Sequence, residues 1–428
     1  MKVSQRILQP AVWLVLSIIS LASMEFYVAK IWSAGQPTHF SDLYAPWWGA
    51  HVFFLQRRNP YAPAVASEIQ TVIYGAPLAN AYRDDFSQLA GGFAYPLYAS
   101  FLLWPTVRLP FSTVQTLFFF VSLLGTLGSL VMWLRALHFR GPPIELLTVT
   151  LLTLGSFPVL QGIQLQNLSL IAAGFLTLAV VLLTSDHLPL AGVFFAISTF
   201  KPQFTIVLLP WLAIWTAHDW RQRRSLAWSF LACMLLLVGV SEWLLPNWIA
   251  DFLRVVHAYR QYTFSRSLLD VWLTPRGSPV AAAVLLLAVL ALSWQHLRHP
   301  ANSPGFFVVV NLMLASTLTV IPTLAPHSQL LLLPGFLCLY RYRVLLSHST
   351  RLARIALLAV WLLLAWQWVA ASGLAFAAAV RPMATLRPSW QVPLYTSPLL
   401  PLAVVFALSC LIRTRNWTSE DRVDLLSQ

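Results

Sequence analysis

Apolar runs close to the length of a bilayer crossing recur from about residue 11 to residue 412, and this repetition limits the fold more than any motif does. About 20 residues of helix are needed to cross a hydrocarbon core of roughly 30 Å. With 58% hydrophobic and 10% charged residues, there is too little polar side chain to coat a soluble protein of this size. The expected fold class is therefore an all-α polytopic membrane protein. The apolar runs predict about twelve crossings, at 11–31, 112–134, 144–160, 167–184, 188–200, 203–217, 225–245, 279–297, 305–322, 327–342, 355–377 and 397–412. Several are short or interrupted by proline, a pattern that usually lines a cavity because the freed backbone groups need partners.

The formal charge of +13 raises the question of nucleic acid, but the arginines sit in short clusters between apolar runs. These are Arg135 with Arg140; Arg221, Arg223 and Arg224; Arg341, Arg343, Arg351 and Arg354; and Arg413 with Arg415. Such clustering is the positive-inside pattern, read as topology and contact with anionic headgroups and not as nucleic-acid binding. All four clusters become cytoplasmic if residues 93–109 stay outside and residues 188–217 enter and return as two short helices around Lys201-Pro202. Lys2 and Arg6 then hold the N-terminus inside, and the first run is an uncleaved anchor, although Leu21-Ala22-Ser23-Met24 also resembles a cleavage site. The expected organisation is one membrane domain over 1–412, with extracytoplasmic loops at 32–111 and 246–278 and a cytoplasmic tail at 413–428. The first loop includes a segment, Leu43 to Arg57, expected to lie amphipathically in the interface.

This topology gathers the polar interruptions of apolar sequence at the external face. Asp42, one of 14 acidic residues, follows the first span; a carboxylate there is costly unless solvated or used. On position alone, the plainer reading is that it caps the segment Leu43 to Arg57. Gln161, Gln164, Gln166 and Asn167 put amides at one span junction, where they serve either helix packing or a ligand. Lys201 stands in nearly uncharged sequence and needs an anion, either a lipid phosphate or an internal acid. His327 opens another span at the same face, as an interface residue or a site residue. Arg260 and Arg266 in the second loop either snorkel to headgroups or clamp a phosphate.

No Walker A motif, no GxGxxG opening a helix and no HExxH occurs, which disfavours ATP-driven transport, nucleotide cofactors and zinc proteolysis. Asp84-Asp85 is the one close acidic pair in the first loop, and adjacent residues rarely share an ion. Cys233, Cys338 and Cys410 fall in apolar runs without CxxC spacing and read as small core residues.

The order of Asp42, Asn59-Pro60-Tyr61, Phe93-Ala94-Tyr95-Pro96-Leu97, the Gln164 to Asn167 run, Phe200-Lys201-Pro202-Gln203 and Ala325-Pro326-His327 resembles glycosyltransferase family 87. The likeness covers roughly residues 1–345. It implies a GT-C-type fold and a polyprenyl-phosphate-mannose-dependent transferase of the plasma (inner) membrane, working on the extracytoplasmic side without cofactor or metal. Asp42 is then the catalytic base, with His327 assisting it. Tyr95, Gln164, Asn167, Lys201, Arg260 and Arg266 are expected to bind the donor, and the acceptor is a lipid or a glycan. Two other readings stand beside it. A lipid or small-solute transporter would use Lys201 and the broken helices as its substrate site. A ligase of lipid-linked polymer would carry its large loop late in the chain, where only Ala378 to Thr396 is found.

Overall fold

The computed structural model describes residues 2–35, 41–77, 91–139, 141–263, 267–274, 276–321 and 325–414. Among them every regular element is a helix and no strand occurs. The chain opens with α1 (Lys2–Phe26), prolonged by a π turn at Tyr27–Trp32. The first loop then holds α2 (Tyr44–Gln56), α3 (Pro63–Tyr74) and the short α4 (Ala99–Leu103). Next come α5 (Phe111–Ala136), α6 (Pro143–Leu154), α7 (Phe157–Gln164), α8 (Ser169–Thr184), α9 (Leu188–Ser198), α10 (Leu208–His218) and α11 (Trp220–Leu244). They are followed by α12 (Trp248–Thr263), α13 (Leu268–Trp272), α14 (Gly277–Ser293), α15 (Pro304–Val320), α16 (Leu333–Arg341) and α17 (Arg343–His348). The last elements are α18 (Arg351–Val380), α19 (Met383–Leu386) and α20 (Leu400–Thr414).

Helix is found at each of the twelve expected crossings, but among the described residues five stretches are long and apolar enough to cross alone: Pro10–Trp32, Phe111–Ala136, Trp220–Leu244, Gly277–Arg298 and Arg351–Val380. A sixth results if α6 and α7, bent by 54°, form one broken span. The cause of the break is local: Gly155 and Ser156 interrupt the helix, and α18 meets the backbone groups this frees. Gln367 accepts from Phe157 N–H at 2.9 Å, and Trp368 Nε1 donates to the Gly155 carbonyl at 2.8 Å.

Exposure sorts the helices into layers. Every residue of α15 from Gly305 to Thr319 is buried, so this all-round apolar helix is the centre of the bundle. It packs against α20, α14, α16, α10, the turn after Lys201 and the 3-10 turn Pro326–Leu332. By contrast only 11% of the apolar window of α11 is buried, which leaves most of it to face lipid. One basic cluster is also not what it appears in sequence. Arg223 is buried, lies 3.7 Å from the centre of the Trp215 ring, and donates to the carbonyls of Trp215 (2.6 Å), Leu297 (2.9 Å) and His299 (3.3 Å).

α9 and α11 approach so closely that a Cβ on Gly192 would stand 2.1 Å from Ser229 Oγ and 2.5 Å from the Leu226 carbonyl. Small residues permit such contacts between membrane helices. Gly192→Ala is expected to lower stability by about 1–3 kcal/mol, the usual cost of overpacking, read as a fall in thermal midpoint in detergent. An unchanged midpoint would mean that the two helices are not held at this distance.

One expectation about the first loop needs correction. Leu43 to Arg57 is not a one-sided interfacial helix: α2 is apolar on all sides, and Tyr44, Trp47, Ala50 and Val52 are buried in protein. The segment 246–278 is largely helical, carrying α12 and α13. The apolar piece at 93–109 holds only α4 and a 3-10 turn, too short to cross.

Candidate active site

Asp42 follows the end of α1 and is fixed by backbone as well as side chain. Its N–H donates to the Leu165 carbonyl at 3.0 Å, which pins the start of the first loop to the end of α7. Ser41 supports the same junction, its Oγ 2.9 Å from Gln166 Oε1. Asp42 does not cap α2: the N-cap position is Leu43, with no side-chain cap, and the hydroxyl nearest the helix start is that of Ser41 (3.3 Å from Leu43 N). The half-buried carboxylate turns instead toward Asn167, whose Nδ2 donates to Asp42 Oδ2 at 2.5 Å. Among the described residues Oδ1 accepts no hydrogen bond.

Asn167 works in both directions. Its Oδ1 accepts from Lys201 Nζ at 2.9 Å and from Ser169 N–H at 2.8 Å. The amide orientation is therefore forced, because turned round it would set an NH2 against an ammonium. Lys201, buried at 5% exposure, also donates to Ser169 Oγ. Two of its three N–H groups are thereby used, leaving one for a ligand. Carboxylate and ammonium thus communicate through Asn167, not by direct contact. The loop that carries Lys201 is held in turn by Tyr98, whose hydroxyl donates to the Thr199 carbonyl at 3.0 Å in a buried setting.

Burial pushes the Asp42 carboxyl above its ordinary value, opposed by the Asn167 hydrogen bond and the Lys201 charge. Burial also pulls the Lys201 ammonium below its ordinary value, opposed by the Asp42 charge. Desolvation is the larger cause for both. Such displacement toward neutrality is typical of groups that exchange protons or hold anions in a site.

The other expected site residues divide. His327 is buried in the 3-10 turn Pro326–Leu332, which packs on α7 and α8, and it lies within electrostatic reach of Lys201. It makes no hydrogen bond among the described residues, and its Nδ1 is a buried nitrogen without a partner. The orienting contact on Asp42 is thus Asn167, not His327. Gln164 is exposed at the end of α7, and the carbonyl it offers is used by Gln166 Nε2 (2.7 Å). Gln166, at φ +48, is the amide that reaches the Asp42 junction. Tyr95 is half-buried; its carbonyl accepts from the Tyr61 hydroxyl at 2.8 Å, and Asn59 of the same motif donates to Asp251 of α12 at 2.7 Å. Arg260 has its backbone in α12 while its side chain lies outside the described residues, as do Arg266, Asp84 and Asp85 altogether. Ser169 and Ser41 join the cluster although their sequence context does not single them out, whereas Gln166 is one of the four amides noted at this junction. Among the described residues no three His, Cys, Asp or Glu side chains are grouped to hold a metal ion.

The family model of glycosyltransferase family 87 matches residues 93–322, more than half of the chain. The chain belongs to glycosyltransferase family 87. It is a membrane glycosyltransferase, with several apolar helices that make it a multi-pass membrane protein. The family 87 match includes Tyr95, Gln164, Asn167 and Lys201, whereas Asp42 and His327 fall outside it and enter the site through the fold. No curated protein and no solved structure matches the chain.

Proposed function

We propose that this transferase moves a sugar, mannose in the first instance, from a polyprenyl-phosphate donor to a hydroxyl of a lipid or glycan acceptor, with inversion at C1. The observation that carries the reading is the assembly of Asp42, Asn167, Lys201 and Ser169, drawn from three distant parts of the chain into one hydrogen-bonded relay. One carboxylate oxygen is anchored and the other is open, as a general base requires.

In the proposed step the acceptor oxygen attacks C1 while Asp42 Oδ1 takes its proton. The C1–O bond to the phosphate breaks, and its electron pair leaves with the phosphate. The remaining N–H of Lys201 stabilises the charge that grows there, where a buried donor counts for more than it would in water. Arg260 and Arg266 of the second extracytoplasmic segment are candidates to share that task, and Tyr95 and Gln164 to contact the donor. His327 is the group proposed to assist around Asp42. A monophosphate leaving group needs no metal to neutralise a diphosphate.

The proposed setting is a GT-C-type bundle of about twelve crossings in the plasma (inner) membrane, with the site facing outward. What supports this side is charge: Arg135 and Arg341, which donates to the His138 carbonyl at 3.1 Å, lie at the end of α5 opposite Gln115, whose side chain meets Gln166 at the Asp42 junction, and positive charge marks the cytoplasmic rim. The decisive experiment incubates purified protein with a panel of polyprenyl-phosphate sugars and an acceptor extract, following free polyprenyl phosphate by mass. Release with the mannosyl donor, giving an anomer opposite to that of the donor, is the expected result. Transfer from a nucleotide sugar, with none from any panel member, would refute the reading.

A further inference from the structure

A cavity of about 840 Å³ lies between α1, α6, α16 and α18, and it is almost wholly apolar in the middle. Its wall includes Trp13, Val149, Leu152, Leu337, Trp361 and Leu364. The two ends differ. At one, Glu145, Tyr340 and Arg343 meet; at the other, Pro158, Gln329 and Leu330 do. The second end belongs to α7 and the 3-10 turn, the elements that carry Gln164 and His327 at the site. From there α16 runs to Arg341, and α6 begins at Pro143, so the charged end lies at the rim opposite Asp42.

The charged end is chemically specific. Glu145 Oε1 accepts from the Tyr340 hydroxyl at 2.5 Å, and among the described residues no cation pairs with this carboxylate. Arg343 is exposed, stacks over the Tyr340 ring at 3.9 Å and gives one N–H to the Tyr340 carbonyl at 2.8 Å. Among the described residues it has no carboxylate partner either. A tyrosine thus separates a carboxylate and a guanidinium, each without a counter-charge among the described residues, at the mouth of an apolar cavity. A purely anionic headgroup would satisfy Arg343 and be repelled by Glu145. A headgroup joining a phosphate to a primary ammonium satisfies both, because the ammonium can also donate hydrogen bonds to the carboxylate.

Length agrees with this. The cavity follows α6, whose 12 residues extend about 18 Å at 1.5 Å per residue. One leaflet is about 15 Å, half of the ~30 Å hydrocarbon core. The donor's phosphate is needed at the far rim, beside Lys201, so the charged end of this cavity is not where the donor's head belongs.

We propose that the cavity is a built-in site for one glycerophospholipid of the leaflet opposite the active site, with a phosphate-and-primary-ammonium headgroup held by Arg343 and Glu145 and a chain lying along α6. This lipid fills the gap between α1, α6, α16 and α18 behind the wall that carries His327, so it is expected to support that wall without taking part in transfer.

The test uses the purified full chain, delipidated in detergent and then exposed to mixed micelles of phosphatidylethanolamine, phosphatidylglycerol or polyprenyl phosphate, with bound lipid counted by native mass spectrometry. One retained phosphatidylethanolamine per chain, favoured over phosphatidylglycerol by about tenfold, is expected, corresponding to roughly 1.4 kcal/mol. Glu145→Gln keeps an oxygen for Tyr340 but removes the charge, and should erase that preference. Leu152→Trp fills the middle of the cavity and should abolish retention of either phospholipid. Equal retention of both phospholipids by the native chain would overturn the headgroup assignment. Undiminished binding in Leu152→Trp would place the lipid elsewhere, and preferential retention of polyprenyl phosphate, lost in Leu152→Trp, would make the cavity the donor's own groove.

Discussion

Asp42→Asn is expected to leave the protein folded and inserted while lowering transfer by about 10²–10⁴-fold, the usual contribution of a positioned general base. The substitution is nearly isosteric, and an Asn side chain can still present its oxygen to Asn167 Nδ2, now 2.5 Å from the carboxylate. Lys201 keeps its bonds to Asn167 and Ser169, and its ammonium, already pulled down by burial, can shed its proton once the carboxylate charge is gone. Folding should therefore survive, which thermal midpoint and gel-filtration profile in detergent would register. What the variant loses is the open oxygen that accepts the acceptor's proton. Transfer at a rate close to that of the native chain would remove Asp42 from the chemistry. Loss of activity together with collapse of the thermal midpoint would instead give Asp42 a structural role.

Much of this cluster is legible in the sequence, for an energetic reason. A carboxylate, an ammonium and a primary amide are expensive beside hydrocarbon, so Asp42, Lys201 and Asn167 stand out against their apolar surroundings. Ser169 and Ser41 do not stand out. Hydroxyls are common in membrane helices because they can return a hydrogen bond to the preceding turn, as Thr177 does to Ala173 (2.7 Å) and Ser129 to Gly125 (2.7 Å). A serine that binds Lys201 looks the same in sequence as one that merely satisfies itself. The choice between Gln164 and Gln166 was hidden too, since it turns on the left-handed backbone at Gln166, φ +48, which swings one amide to the Asp42 junction and leaves the other exposed.

The same limit applies to the fold. Hydropathy located the apolar helices but not their layers. α15 and α11 both read as apolar runs, yet one is buried along its length and the other faces lipid. Nor does composition show that α12 is a helix tied to the first loop, because that tie is made by contacts distant in sequence: Asn59 to Asp251, 192 positions apart, and the ring pairs Tyr61–Phe252 and Tyr98–Trp248.

Lys201→Met is expected to lower transfer by about 10²–10³-fold, the usual loss when a preorganised donor to a developing charge is removed. Its pH profile separates a chemical from a structural role. In the native chain kcat/KM should fall on the acid side as the Asp42 base takes a proton, at a pH above the ordinary aspartate value of about 3.9 because burial raises it. It should fall again on the alkaline side as Lys201 loses its proton, below the ordinary lysine value of about 10.4 because burial lowers it. In Lys201→Met the alkaline limb should vanish and the acid limb move to higher pH, since the charge that held the Asp42 carboxyl down is gone. Stability should also fall, by about 1–3 kcal/mol, because Asn167 Oδ1 loses its charged donor and the half-buried carboxylate loses the cation beyond it. The double variant Asp42→Asn with Lys201→Met removes both charges, so it should regain most of that stability and remain inactive. An alkaline limb that persists in Lys201→Met would assign it to another group and leave the leaving phosphate without the cation argued for here.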